Sequence, residues 1–310
     1  MSTPLALGVD VGGTNIRLAV VDPEGSIGGR SQQNARLSRH DAGDPAAAAV
    51  LVLDMLEQSI APVLAEHDDI IGVGIGFPGF FDAHCGLLHS SPNIPGLNEF
   101  PLAAELAKRL AIPVHVGNDA ALAALGEFRF GTGRGASSLL HLTLGTGIGG
   151  GAIIEGRPYT GDGGMALEVG HLHVAPEDRI CGCGSLGCME SWASASAVAE
   201  RFSEASGMAA DAREVARLAD TGDAQAIAVL HDAGRILGRG IAEIAKLLDI
   251  RQVSISGGLS GAWKHFAPAM QHEIDARLLP PQVGKIVVQR SRLGDDAGIL
   301  GAAASVFTQS

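Results

Sequence analysis

Two regimes of hydrophobic patterning alternate along this chain: short, β-rich apolar runs and longer stretches with helical periodicity. Near the start, LALGVDV (residues 5–11) predicts a buried strand, GGTN a glycine turn, and IRLAVVD (16–22) a second strand ending at the turn PEG. Far along the chain the same order returns, with SLLHLTL (138–144) running into GTGIGG and out through GAIIEG. Between these units the pattern predicts a helix over 45–66, a buried strand IIGVGIGF, a Pro- and Gly-rich loop, a helix through PLAAELAKRLA, a short strand PVHVG and a helix opening at Asn118. After a cysteine-bearing segment the chain turns mainly helical, through AREVARLAD and AQAIAVLHDAGRILGRGIAEIAKLLD, with QVSISGG and KIVVQ as later strands. Two copies of a strand, glycine turn, strand unit, each followed by helices and strands, predict an α/β fold of two similar lobes. The boundary is placed near residue 117, giving an N-terminal lobe over 1–117 and a C-terminal lobe over 118–310.

At 310 residues and 46% hydrophobic, the chain can bury a large core. Its 43 glycines against 4% aromatics point to tight turns and close backbone approach rather than aromatic packing. A formal net charge of -12 argues against binding nucleic acid through phosphates. No basic leader precedes an apolar stretch, and no apolar run approaches bilayer length, so a cytoplasmic protein without a membrane partner is expected. In that reducing compartment four cysteines suggest metal or chemistry rather than a disulfide framework.

A glycine turn between strands offers concave backbone N–H donors, which suits phosphate oxygens. The first turn contributes Gly12, Gly13 and Thr14, with Asp10 placed to hold a hydrated Mg²⁺ or a water; the second contributes Gly145, Thr146 and Gly147. A tight hairpin alone would account for either turn, whereas two cradles in two similar lobes could grip one polyphosphate from both sides. Neither is a G-x-x-x-x-G-K-[ST] loop, and the first leads to a strand rather than to the helix of a dinucleotide fingerprint.

Asn118 and Asp119 open a helix at the end of a strand, where capping alone would account for them. That place is also where α/β proteins put groups that act on ligands, and phosphoryl transfer to an alcohol needs a carboxylate there. Asp119 is the candidate general base. Three of the four cysteines, Cys181, Cys183 and Cys188, fall in CGCGSLGC, ten residues after His171. One imidazole and three thiolates form a closed tetrahedral Zn²⁺ set, hence a structural metal. Glu168 and Glu190 flank these ligands. With one nitrogen of His171 on zinc, the other could face a ligand, so zinc would hold Glu168, His171 and Glu190 as a rigid polar set for a polyhydroxy substrate.

Taken in order, GVDVGGTNIRLAVVD, GNDAALAALGE, LTLGTGIGGG, EVGHLHV and CGCGSLGCMES resemble the ROK family of sugar kinases and repressors, from Leu7 to DDAGILGAA. The resemblance implies a duplicated actin-like, ribonuclease H-like fold with ATP and sugar in an interlobe cleft, and a structural zinc module at 171–188. It implies Asp119 as catalytic base. Gly79, Asn93, Asn118, Asp119, Glu168, His171 and Glu190 would face the sugar. Asp10, Gly12, Gly13, Thr14, Gly145, Thr146 and Gly147 would serve the phosphates, with Gly257 and Gly258 beside the adenosine. A homodimer is implied too, and a C-terminal helix that packs back on the first lobe. Repressor members carry a DNA-binding segment ahead of the first phosphate loop, for which a loop starting at Asp10 leaves no room. Many glucokinase-like members have a Trp after the N-x-P asparagine, where this chain reads NIPGLNEFPL. The expected activity is MgATP-dependent phosphorylation of a hexose, with glucose first and N-acetylglucosamine, N-acetylmannosamine and fructose as alternatives. A non-catalytic sugar-sensing regulator is the alternative of a different class, and polyphosphate remains open as donor.

Overall fold

The computed structural model describes residues 3–13, 15–35, 44–82, 85–94 and 96–308. Strands β1 (Leu5–Val11), β2 (Asn15–Val21) and β3 (Ile27–Asn34) form an antiparallel meander. Helix α1 (Pro45–Glu66) crosses to β4 (Ile70–Phe77), which lies parallel to β1. A small hairpin, β5 (Phe80–Phe81) and β6 (Leu88–Ser90), and helix α2 (Leu102–Leu110) precede β7 (Val114–Asn118), parallel to β4. The first sheet therefore has the order β3-β2-β1-β4-β7.

Helix α3 (Asp119–Phe130) leads into a second meander of β8 (Leu139–Leu144), β9 (Ile148–Ile154) and β10 (Arg157–Tyr159). Helices α4 (Glu190–Ala193), α5 (Ala195–Ser206), α6 (Ala212–Asp220) and α7 (Ala224–Leu248) follow. Strand β11 (Gln252–Ser256) then lies parallel to β8, and after α8 (Trp263–Arg277) strand β12 (Val287–Arg290) lies parallel to β11. The second sheet has the order β10-β9-β8-β11-β12, the same topology strand for strand, and α9 (Ala297–Thr308) closes the chain as α3 closes the first half. This is a duplicated, two-lobe, actin-like α/β fold.

The central strands are near-continuous apolar runs because helices or the other lobe cover both their faces. Helix starts follow side-chain caps: Asp44 accepts from the Ala46 N–H, Ser194 from Ala197, Asp211 from Glu214 and Asp223 from Ala226. The expectation that no apolar run approaches bilayer length fails at α1, whose 22 residues are long and apolar enough, by length and composition, to span one. Its apolarity serves the core of the first lobe: Val52, Leu53, Leu56 and Ile60 pack there, while Asp54 and Glu57 pair with Arg109.

The closing helices cross over. Helix α3 packs on β8 and β9 of the second sheet, α9 packs on β1 and β4 of the first, and the two helices pack on each other. That approach needs missing side chains: a Cβ at Gly74 would lie 1.8 Å from the Ala302 carbonyl oxygen, and one at Gly301 would lie 1.7 Å from that of Leu122.

Candidate active site

The parallel pairing of β1, β4 and β7 lines up Asp10, Gly76 and Gly117 at the carboxyl ends of the first sheet, with Asn118 and Asp119 next along the chain. Gly76 has no side chain between the two acids; its Cβ would lie 3.7 Å from Asp10 Oδ1 and 3.8 Å from Asp119 Cβ. Burial, with Asp119 nearby, raises the Asp10 carboxyl to about 6, against the pull of Arg17. Burial also raises the Asp119 carboxyl, and the N–H of Ala120, 2.9 Å from Oδ1, opposes it. Two half-buried acids therefore face one space at a strand-to-helix junction.

Asn118 does cap α3, its Oδ1 accepting the Ala121 N–H at 3.0 Å. Its Nδ2 donates to the Gly79 carbonyl at 3.1 Å, so the cap also fixes the loop after β4. Ser91 Oγ donates to the Pro78 carbonyl at 2.7 Å and accepts the Asn93 N–H at 3.3 Å, which brings Asn93 alongside Gly79. Gly79, Asn118 and Glu168 line a single cavity of about 20 Å³, together with Phe80, Tyr159 and Leu167. The last three were not singled out in the sequence. Leu167 carried a signal only visible in the backbone, a left-handed φ of 69°.

The second hairpin and the metal segment meet at Glu190. His171 Nδ1 lies 3.6 Å from Cys181 Sγ, while its Nε2 faces Glu168 Oε2 at 3.9 Å. Partial burial raises the Glu168 carboxyl; His171 opposes this, and Asp119 and Glu190 add to it. Asp119 and Glu190 therefore both bear on the charge of Glu168, and the space beside Glu168 is rich in carboxylate. Such a space offers mainly acceptors, which suits the hydroxyls of a sugar and disfavours an anion. Glu190 is half-buried, not at the surface: Oε2 accepts the Ile148 N–H at 2.8 Å, and Oε1 lies 3.6 Å from Cys181 Sγ.

The donor set suits zinc. The ligand atoms of His171, Cys181, Cys183 and Cys188 all lie within 4.8 Å of one another, and Cys183 Sγ and Cys188 Sγ are 3.7 Å apart. Two thiolates on a tetrahedral Zn²⁺ would be about 3.8 Å apart, from Zn–S bonds of about 2.3 Å.

Both glycine turns are open toward ligand space. A Cβ at Gly13, Gly145 or Gly258 would meet nothing within 4 Å, so neither packing nor a left-handed φ requires glycine there. Not every N–H of the turns is available: Gly12 donates to the Asn15 carbonyl at 2.8 Å and Gly145 to that of Gly147 at 3.0 Å. Gly13, the exposed Thr146 and Gly147 donate no backbone hydrogen bond among the described residues. Thr14 lies outside the described residues. Gly257, with φ of 88°, sits where a Cβ would be 2.4 Å from the Leu144 carbonyl oxygen, so the loop after β11 abuts the second glycine turn.

A profile of the ROK family matches residues 6–309. A glucokinase of Halalkalibacterium halodurans is 35% identical over 316 residues, covering 97% of this chain and 94% of that protein. A glucokinase of Thermotoga maritima is 33% identical, covering 97% and 96%. Among solved structures, a ROK family glucokinase from Streptomyces griseus in complex with glucose and AMPPNP is 31% identical with a TM-score of 0.81, covering 99% of this chain and 100% of that one.

Proposed function

This chain belongs to the ROK family, and on that premise we propose that it is an ATP-dependent hexose kinase, a glucokinase that phosphorylates the 6-hydroxyl of glucose. The observation that carries this is the convergence of Asp119, Glu168, Glu190 and His171 on one acceptor-rich space beside two open glycine turns. Glu168, His171 and Glu190, with Asn93, Asn118 and Gly79 on the facing loops, accept and donate hydrogen bonds to the sugar. Asp119 takes the proton of the attacking hydroxyl. The hydroxyl oxygen bonds to the γ-phosphorus as the bond to the β–γ bridging oxygen breaks and ADP leaves. Gly12, Gly13, Thr14, Gly145, Thr146 and Gly147 hold the phosphates, and Gly257 and Gly258 border the adenosine. Asp10 would hold a hydrated Mg²⁺, which offsets phosphate charge when bound. His171, Cys181, Cys183 and Cys188 would hold a structural Zn²⁺ that fixes the ring of His171. Closure of the lobe of residues 1–117 on that of 118–310 excludes water, so that the sugar outcompetes hydrolysis. The same reading places the protein in the cytoplasm as a homodimer with no nucleic-acid or membrane partner.

ADP release with MgATP against glucose, mannose, fructose, N-acetylglucosamine and N-acetylmannosamine tests this, with polyphosphate as a second donor. Turnover should be clearest with glucose; a folded, zinc-loaded protein that turns over none of these sugars overturns it. Asp119→Asn should leave glucose binding largely intact and cut turnover about 10²-fold or more. Near-normal turnover in that variant would remove Asp119 from its role.

A further inference from the structure

The second glycine turn is held from outside, and both of its holders, Glu190 and Ala195, follow within seven residues of the last metal ligand, Cys188. The Ile148 N–H, at the turn's exit, donates to Glu190 Oε2 at 2.8 Å. The Gly145 carbonyl, at its entrance, accepts the Ala195 N–H at 2.9 Å. Gly147 gives way to the same carboxylate: a Cβ there would lie 2.3 Å from Glu190 Oε2. Glu190 stands two residues after Cys188, and its other oxygen lies 3.6 Å from Cys181 Sγ. The connecting residue, Met189, is fully buried and donates its N–H to the Leu172 carbonyl at 2.9 Å, one residue beyond His171. One open cleft of about 510 Å³ has Thr146, Cys181, Glu190 and Ser194 in its wall, so the tip of the turn and the metal segment share a surface.

We infer that Glu190 is a positioning residue that couples occupancy of the metal segment to the shape of the second phosphate loop, so that zinc governs nucleotide affinity as well as sugar contact. The inference rests on the proposed roles of that loop and of the His171, Cys181, Cys183 and Cys188 cluster. A short turn has few internal constraints, and a charged acceptor on its exit N–H is the stronger kind of hydrogen bond. Without metal, the segment at 171 and 181–188 is joined only by backbone bonds, such as that from the Met189 N–H to the Leu172 carbonyl, and the carboxylate is held less firmly at its distance from Ile148. The loop must then be ordered by the nucleotide itself, which lowers affinity. A Glu190 that served the sugar alone would leave the nucleotide untouched.

The test compares zinc-loaded wild type, Glu190→Ala and Glu190→Gln, each before and after chelation. The readouts are metal content, the Kd of MgAMPPNP, the Kd of glucose, and hydrogen exchange over residues 144–150. Zinc removal from wild type should weaken MgAMPPNP about tenfold, within the usual range of coupling between sites. Glu190→Ala should show a loss of about that size while still zinc-loaded, and chelation should then add less than about twofold, since the two changes act on one link. Glu190→Gln should stay within about threefold of wild type, because its amide oxygen can still accept from Ile148. Amides over 144–150 should exchange faster in zinc-loaded Glu190→Ala. Unchanged MgAMPPNP affinity and unchanged protection in that variant would overturn the coupling, as would full additivity with zinc removal. If the apoprotein unfolds, zinc-loaded Glu190→Ala decides whether the residue that abuts the metal segment holds the loop at all, and unchanged affinity and protection there overturn the proposal. If wild type binds no MgAMPPNP, the kinase reading fails by itself, and protection at 144–150 still decides whether Glu190 couples metal and loop.

Discussion

Asp10 illustrates at the scale of one residue how function opposes stability. Its carboxyl is raised to about 6 by burial and by Asp119, so at pH 7 the folded protein holds a charge that the unfolded chain carries more easily. Between its unfolded and folded pKa values the folded state binds more protons. Stability from this group therefore rises as pH falls through 6 toward 4 and is lost as pH rises again. Asp10→Asn should accordingly stabilise the free protein at pH 7.5 by about 1–3 kcal/mol. The gain should shrink toward zero near pH 4, where Asp10 is itself neutral. Urea denaturation at the two pH values measures this, and equal gains at both would contradict it. The same variant should lose most of its turnover. The raised Asp119 carboxyl acts in the same direction on catalysis: the base is lost on acidification at a higher pH than an ordinary carboxylate would be. Both acids were legible in the sequence, because strand ends and helix starts are local patterns. The bond from Glu190 to Ile148 was not, because 42 residues separate its partners and only the tertiary fold brings them together.

Among the elements, legibility follows burial. Helix α1 and strand β4 were readable residue by residue, since their apolar positions are set by a core. Strand β3 was not foreseen: IGGRSQQN has no apolar alternation and lies mostly exposed as the outer strand of its sheet, where polar residues protect an edge. It is a strand because β2 offers it a ladder, from Asn15 opposite Asn34 to Val21 opposite Ile27. Helix α9 was only marked by DDAGILGAA, since small residues chosen for close approach leave little amphipathic period. Helix α2 carries a local flaw, ending at the exposed Ala111 with φ of 55° and ψ of 32°. That left-handed cap favours glycine. Ala111→Gly should therefore stabilise by about 0.5–1 kcal/mol, the relief of backbone strain exceeding the added freedom of the unfolded chain. A denaturation midpoint at or below that of wild type would show that α2 tolerates the strain without cost.

For the molecule as a whole, duplication turns two ordinary lobes into one machine because each half ends on a helix that packs against the other half. The two halves are joined where α3 and α9 pack on each other and where the chain passes between β12 and α9, so the proposed lobe closure would have to bend there. Glu127 of α3 guards that passage: fully buried, it accepts from Ser291 Oγ, from the Thr132 N–H at 2.8 Å and from the Leu293 N–H at 3.2 Å. Burial would raise its carboxyl, but the hydrogen bonds from Ser291 and Thr132 hold it below the usual range, so it carries its charge. His141 nearby is held down to about 4 by its own burial and stays neutral between Ser254 and Ser256, so it does not neutralise this acid. Glu127 therefore organises donors from three places rather than forming an ion pair. Glu127→Ala would orphan those donors in the interior and should cost at least about 3 kcal/mol. Glu127→Gln, which keeps the shape but turns an amide N–H₂ toward a donor, should cost less. If the passage also sets the resting angle of the lobes, Glu127→Gln should change kcat and KM for both substrates together, whereas a merely stabilising contact would move only the denaturation midpoint. Steady-state kinetics on the Gln variant at a temperature where it is fully folded separates the two, and unaltered kcat and KM would confine Glu127 to stability.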